Sequence, residues 1–201
     1  MIPDSQFPIS DKQADGRNRI LDVAESLFQA RGYTAVTMRD IAKAVGMRQA
    51  SLYYHFPSKE ELFVSVRERL FERHRVGLQN VLSREEGELR SQLEGVADWF
   101  LSQQPINFHS MMQADMPSLS QEARVRLSNA VNQAIFEPVG QVFTTARANR
   151  RISAVRPKLL VGFLLSLLES VSVVYSSEPL SYKKEIVNEM IFVLLEGIQR
   201  H

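Results

Sequence analysis

The sequence predicts an all-α protein of about nine helices, three in an N-terminal head and six in a body, and three observations carry that expectation. Apolar residues recur at three- and four-residue spacing from about residue 16 to the end. No stretch of any length alternates apolar and polar residues as a half-buried strand does. Residues 37–63, TMRDIAKAVGMRQASLYYHFPSKEELF, read as two short helices, a tight turn and the start of a third. The spacing predicts helices near 16–32, 38–45, 49–55, 58–82, 86–103, 106–114, 119–149, 156–175 and 180–199, with breaks at Pro105, Pro117, Arg156-Pro157 and Glu178-Pro179.

The first short helix begins at Thr37, whose hydroxyl can accept from the unpaired N–H groups of the first turn, while Asp40 reaches back as an acidic variant of the capping box. Ile41, Ala42 and Val45 form one apolar stripe that faces a core, and Gly46 supplies the left-handed conformation that closes a helix. A second helix follows within four residues, and so short a turn forces the two to cross steeply. That second helix, 49–55, is too short to be stable alone, so Leu52 and Phe56 must pack it. Arg48, Gln49, Ala50, Ser51, Tyr53, Tyr54 and His55 leave a surface of small, hydrogen-bonding and aromatic groups, which suits base edges and phosphates. Adjacent residues on a helix point about 100° apart, so one of Tyr53 and Tyr54 is expected to pack and the other to be exposed. Pro57 ends the helix, Ser58 and Glu61 form a second capping box, and Lys59 adds a positive charge. Arg39, Lys43, Arg48 and Lys59 stand against the single acid Asp40 on this face.

With these residues in place, the run from Arg19 to Phe63 resembles the DNA-binding domain of the tetracycline-repressor (TetR) family of bacterial regulators. The matching pieces are RILDVAESLFQARGY at 19–33, TMRDIAKAVGM at 37–47 and SLYYHFPSKEEL at 51–62. The resemblance implies phosphate contacts from Thr37, Tyr54 and Lys59, and places Gln49, Ala50, Ser51, Tyr53 and His55 in or near the major groove. Arg39 is a further candidate for base or phosphate. Two positions depart from the family's commonest pattern, Arg48 where a small N-capping residue is usual and Ala50 where glycine is frequent. Arginine does not N-cap a helix, so either water or a DNA phosphate caps it, or Arg48 reaches guanine through its bidentate fork.

The chain has 201 residues, 44% of them hydrophobic, enough for a core and for a small domain plus a larger one. The expected organisation is a flexible N-terminal arm over 1–14, a helix-turn-helix domain over 15–60 and a helical ligand-binding and dimerisation domain over 61–201. With 24 basic and 23 acidic residues the net charge is +1, so any DNA affinity must be local and geometric rather than a bulk electrostatic effect. Cysteine is absent, which excludes disulfides, thiolate nucleophiles and cysteine metal sites and fits a reducing, cytoplasmic setting. The N-terminal segment lacks the basic start and apolar stretch of a signal peptide. The most apolar run, 159–175, is shorter than the roughly 20 residues of a membrane span and contains Glu169, so a buried helix is expected and no membrane partner.

Helix 156–175 is apolar on nearly all sides and must be covered on all sides, which a chain of this size has difficulty doing alone. Helix 180–199 adds a stripe of Ile186, Met190, Val193, Leu194 and Gly197. The resemblance implies a homodimer in which these two helices form a four-helix bundle with their partners. Two recognition helices then meet successive major grooves roughly 34–36 Å apart on a palindromic operator in double-stranded DNA. Pro138 is expected to bend the helix at 119–149 and open space for a ligand. Trp99, Phe100, Phe108, Met112, Phe136, Phe143 and Phe163, with Gln103, His109 and Glu169 as polar groups, are candidates to line a pocket for a small effector. Glu169 and His109 are the candidate anchors, and for Glu169 an ion pair with an arginine across the dimer is the alternative.

The expected function is therefore a sequence-specific transcriptional regulator, foremost a repressor released by a small apolar or amphipathic ligand, with activation or ligand-independent regulation as the alternative. The helix at 58–82 is the element expected to pivot between states. No catalytic residue, metal site or cofactor is expected: there is no His-Glu-x-x-His or Glu-x-x-His pair, no glycine-rich phosphate loop and no Gly-x-Ser-x-Gly elbow. A helical protein-interaction adaptor is the remote alternative, and it predicts no affinity for duplex DNA.

Overall fold

The structure, a computed structural model, describes residues 9–84 and 87–198, with side chains described from Asp15 onward. Among the described residues all regular elements are helical and there is no strand. In chain order they are α1 (Ile9–Ala35), α2 (Met38–Val45), α3 (Gln49–His55), α4 (Lys59–Arg84), α5 (Leu89–Ser102), α6 (Phe108–Ser110), α7 (Gln121–Val131), α8 (Glu137–Ala148), α9 (Pro157–Val174) and α10 (Leu180–Ile198). A π turn at Met111–Asp115 and a 3₁₀ turn at Met116–Ser118 follow α6, and a π turn at Asn132–Phe136 joins α7 to α8.

Helix α1 starts at Ile9, so the last residues of the expected flexible arm are helical, and residues 1–8 lie outside the described ones. Gly16 sits inside the helix rather than at its boundary, since one interior glycine costs about 1 kcal/mol and does not stop a helix. Gly32 does interrupt it, at φ 76° and ψ 166°, a conformation that a side chain would strain.

The chain forms two compact units, and their division differs from the boundary expected at 60/61. The head contains the chain up to Arg69 together with Ser110–Leu127, and the body contains Leu70–His109 and the chain from Ser128. In the head, Phe28 meets Phe63 edge-on at 5.1 Å between ring centroids and Tyr33 lies 4.8 Å from Phe63, around a core that includes Ile20, Ala24, Ile41, Leu52 and Phe56. Ser110–Leu127 belongs with this core because charged groups fasten it there. The Asp115 carboxylate accepts from Tyr33 N–H at 3.0 Å and pairs with Arg67 at 3.5 Å. Glu60 accepts from Ser120 N–H and Oγ at 2.7 and 2.8 Å, and Ser120 Oγ in turn accepts from Ala123 N–H at the start of α7. Arg126 bridges Glu61 at 2.7 Å and Glu68 at 2.9 Å.

Each π turn precedes a proline. Pro117 and Pro138 lack an N–H and would clash with the carbonyl four residues back, Gln113 and Ala134 respectively, and both carbonyls lie in π turns. The expected disturbance at Pro138 thus takes the form of a widened turn.

In the body, α5 packs on α8, α9 and α10, and α9 packs on α8 and α10. His74 is buried, accepts from Trp99 Nε1 at 3.1 Å on Nδ1 and stacks on Phe100 with ring centroids 5.0 Å apart. The indole is only a donor, so His74 Nδ1 must be unprotonated. Burial first, and the positive charge of Arg73 second, push the His74 pKa down to about 4. An unfolded histidine titrates near 6.5, so the folded chain binds fewer protons than the unfolded one between about pH 4 and 6.5. Stability from this group is complete above about 6.5 and is lost as pH falls towards 4. Urea denaturation should therefore show a lower midpoint at about pH 5 than at about pH 7, and His74→Gln, which keeps an acceptor but does not titrate, should reduce that difference.

Candidate nucleic-acid interface

The scaffold of α2 and α3 is built from local bonds. Thr37 caps α2, its Oγ1 accepting from Asp40 N–H at 3.2 Å while Thr37 N–H and Oγ1 donate to Asp40 Oδ2 at 3.0 and 2.6 Å. Those donations hold the Asp40 carboxyl below the ordinary carboxylate range. Gly46 closes α2 at φ 78° and ψ 35°, and Arg19 donates to the Val45 carbonyl at 3.1 Å, a second clamp on the same turn. Leu52 and Phe56 are fully buried and hold α3 down, with the Arg17 guanidinium 4.7 Å from the Phe56 ring centre. Arg48 sits at the N-cap of α3 and makes no side-chain cap bond.

Of the ten residues expected to meet DNA, Thr37, Arg39, Arg48, Gln49, Ala50, Ser51, Tyr53 and Tyr54 are exposed, and His55 and Lys59 are half-buried. The two tyrosines do not divide into one packed and one exposed, because Tyr53 is 44% and Tyr54 76% accessible. His55 meets the Tyr54 ring edge-on and lies alongside Gly16, where its imidazole would be 3.7 Å from an added β-carbon, so it also packs on α1. Lys59 is turned inward: Nζ donates to the Tyr33 and Val36 carbonyls at 2.9 and 3.0 Å and sits 4.2 Å from the Tyr33 ring centre. Burial lowers its pKa. Two of its three donors tie the end of α1 to the start of α4, which leaves one for an anion.

The second capping box is half present. Glu61 N–H donates to Ser58 Oγ at 3.0 Å, whereas the Glu61 carboxylate is taken by Arg126. Arg19, Arg126 and Asp115 were not legible as contributors, because their partners lie 26, 65 and 82 residues away.

The residues proposed for a body pocket are not brought together. Phe100, Phe108 and Glu169 line one crevice, at the end of α5 and against α9. Glu169 accepts from His109 N–H at 3.1 Å, and the His109 side chain is exposed. Trp99 instead lies on Gly77, Phe143 is fully buried core, Met112 is 57% exposed, and Gln103 and Phe136 are half-buried outside that crevice. Phe163, 49% exposed, lines an open groove of about 540 Å³ with Leu167, Ile186, Met190, Val193 and Gly197. All are apolar residues at helical spacing, a period that marks a face without saying what covers it. No group of three or more potential metal ligands occurs among the described residues.

A two-helix reading unit, clamped at its turn and exposing polar and aromatic side chains, defines a helix-turn-helix of the kind that docks on duplex DNA. Residues 20–66 match the bacterial regulatory proteins of the tetR family. The head therefore belongs to that family, and the chain as a whole has the fold of its solved members. The biofilm operon icaADBC HTH-type negative transcriptional regulator IcaR of Staphylococcus epidermidis is 45% identical over 47 residues, 23% of this chain and 25% of that protein. The match thus spans a quarter of that relative's length. The TetR-family regulator PfmR from Thermus thermophilus is 25% identical with a TM-score of 0.69, covering 90% of this chain and all of that one. AibR in complex with isovaleryl coenzyme A and operator DNA has a TM-score of 0.71 at 18% identity, covering 88% of this chain and 96% of that one.

Proposed function

We propose that the chain is a cytoplasmic, homodimeric, sequence-specific regulator of transcription, a repressor that leaves a palindromic operator when a small apolar or amphipathic ligand enters its body. The observation that carries this reading is the face of α3, where Arg48, Gln49, Ala50, Ser51, Tyr53 and Tyr54 are all exposed on a helix that Leu52 and Phe56 hold rigid. Repression is favoured by the negative regulator that is 45% identical to the head over 47 residues. Response to a ligand is favoured by a fold that, in AibR, accompanies both a ligand and operator DNA.

Dimerisation through α9 and α10 accounts for a second feature. Helix α9 is 18 residues long with a mean hydropathy of 1.7, apolar and long enough to cross a membrane by composition alone. Its inner side, Leu160, Val161, Leu164, Leu165, Leu168 and Val171, is buried in the body. Leu159, Phe163, Val173 and Val174 are 49–66% exposed, and on α10 Phe192 and Val193 are 49% and 68% exposed. A second copy of the same two helices covers this surface isologously and sets the spacing of the two α3 helices.

Selection of bound duplexes from a random pool, followed by gel shifts at several salt concentrations, tests the reading. A two-fold consensus and a steep fall in affinity with salt are expected. Arg48→Ala should relax one position of each half-site by about 1–3 kcal/mol, whereas Tyr54→Ala should weaken every duplex alike. Tyr54 is a cleaner probe of the phosphate contacts than Lys59, whose removal also unties Tyr33 and Val36. Failure to enrich any sequence, with no salt-dependent shift, refutes DNA reading and leaves the adaptor.

A further inference from the structure

The crevice at the end of α5 has apolar walls, among them Phe100, Phe108, Leu165 and Leu168, and one charged side chain, Glu169. Among the described residues no lysine, arginine or histidine lines it, and Gln104, Asn107 and Ser172 are its neutral polar groups. Glu169 is the only acid of α9, and Lys158 at the far end is that helix's only base. One carboxylate oxygen accepts from the His109 backbone at 3.1 Å, which fixes the group, and no cation among the described residues pairs with it. A single neutral hydrogen bond orients a carboxylate without balancing its charge, and a half-buried carboxylate beside apolar walls favours a counter-charge.

The crevice is a void of about 30 Å³ that opens to solvent. A void of that size, room for about two waters, seats part of a compact headgroup beside Glu169 and leaves an apolar chain to lie in the open mouth. We propose that this recess is the effector site and that it takes an amphipathic ammonium, the cationic head against Glu169 and the chain along Phe100, Phe108 and the α9 leucines. An ammonium supplies the missing charge and gains further from aromatic walls, whereas an anion meets only Glu169. The proposal rests on the ligand-responsive reading above and narrows it to one class of effector.

Trp99, the sole tryptophan, does not line the recess, so binding is read by titration calorimetry. The full chain is titrated with octyltrimethylammonium, 1-octanol and octanoate, which share a chain and differ in head charge. Octyltrimethylammonium should bind roughly tenfold or more tighter than octanol, and octanoate more weakly than either. Glu169→Gln, which retains an acceptor for the His109 N–H, should abolish the preference for the cation and leave octanol binding unchanged. Binding in the open α9–α10 groove, which Glu189 also lines, would ignore the Glu169 substitution. Equal binding of the three probes, no response to any of them, or a cation preference that survives in Glu169→Gln overturns the proposal. So does a Glu169→Gln variant that loses self-association instead of cation binding, which makes Glu169 an interface ion pair. Gel shifts without any effector test the regulator reading separately: loss of DNA binding there sinks that reading and leaves the cation result standing.

Discussion

Replacing Asp115 with alanine is expected to destabilise the chain by about 3–5 kcal/mol, the cost of breaking a buried ion pair on one side. The carboxylate side chain is 5% exposed and that of its partner Arg67 is 12% exposed. Burial works against the charge of Arg67, and Asp115 first and Glu25 second work for it, so removal of Asp115 takes the larger support from a guanidinium whose Nε already has no hydrogen-bond partner. A second loss comes from Tyr33. The break in α1 at Gly32 deprives the buried Tyr33 N–H of a helical acceptor, and Asp115 supplies one at 3.0 Å. An orphaned buried donor costs about 1–3 kcal/mol, part of the same total. Asp115→Asn keeps an acceptor and drops the charge, so it should cost less than Asp115→Ala. Urea unfolding at about pH 7 measures both, and operator affinity should fall with stability because α3 is held by the same core. A cost below about 1 kcal/mol for Asp115→Ala would mean that another group satisfies Tyr33 and Arg67.

This clasp also explains what the sequence does and does not disclose. Thr37 with Asp40, Gly46, and Ser58 with Glu61 act across a single helical turn, so periodicity and capping chemistry reveal them in the sequence alone. Asp115 carries no such signal. It sits in a π turn between Met111 and Pro117, and the residues it serves are 48 and 82 positions away. Glu61 shows the limit from the other side: it fits a capping box, yet Arg126 competes successfully for its carboxylate by offering charge as well as hydrogen bonds. Lys59 likewise has a pattern that suits phosphate, and a fold that gives it two carbonyls. In the body, Phe143 and Phe163 are both aromatic residues on apolar helical faces. One is fully buried and the other about half exposed, because only three-dimensional placement decides whether a face meets its own core or an open groove.

Gly77→Ala is the second large effect, and its sign opposes the usual rule. In an exposed helix, glycine to alanine gains about 1 kcal/mol. At Gly77 a β-carbon would fall 2.0 Å from Trp99 Cζ2 and 2.2 Å from Cε2, so the indole, not the helix, decides the outcome. Trp99 has no cheap retreat: Nε1 is bonded to His74 Nδ1, and His74 is buried against Phe100. Overpacking costs about 1–3 kcal/mol, and breaking the Trp99–His74 bond leaves buried polar groups that cost about 1–3 more. After subtracting the helical gain, a net loss of about 3 kcal/mol is expected. Urea unfolding should show it, together with a red shift in emission as the sole tryptophan leaves its half-buried site. The cause is isolated by a double-mutant cycle, since contacting residues are not additive. In a Trp99→Leu background the clash is gone, and Gly77→Ala should become neutral or stabilising. If Gly77→Ala costs as much there as in the natural chain, the indole is not the obstacle and the loss belongs to another neighbour of α4.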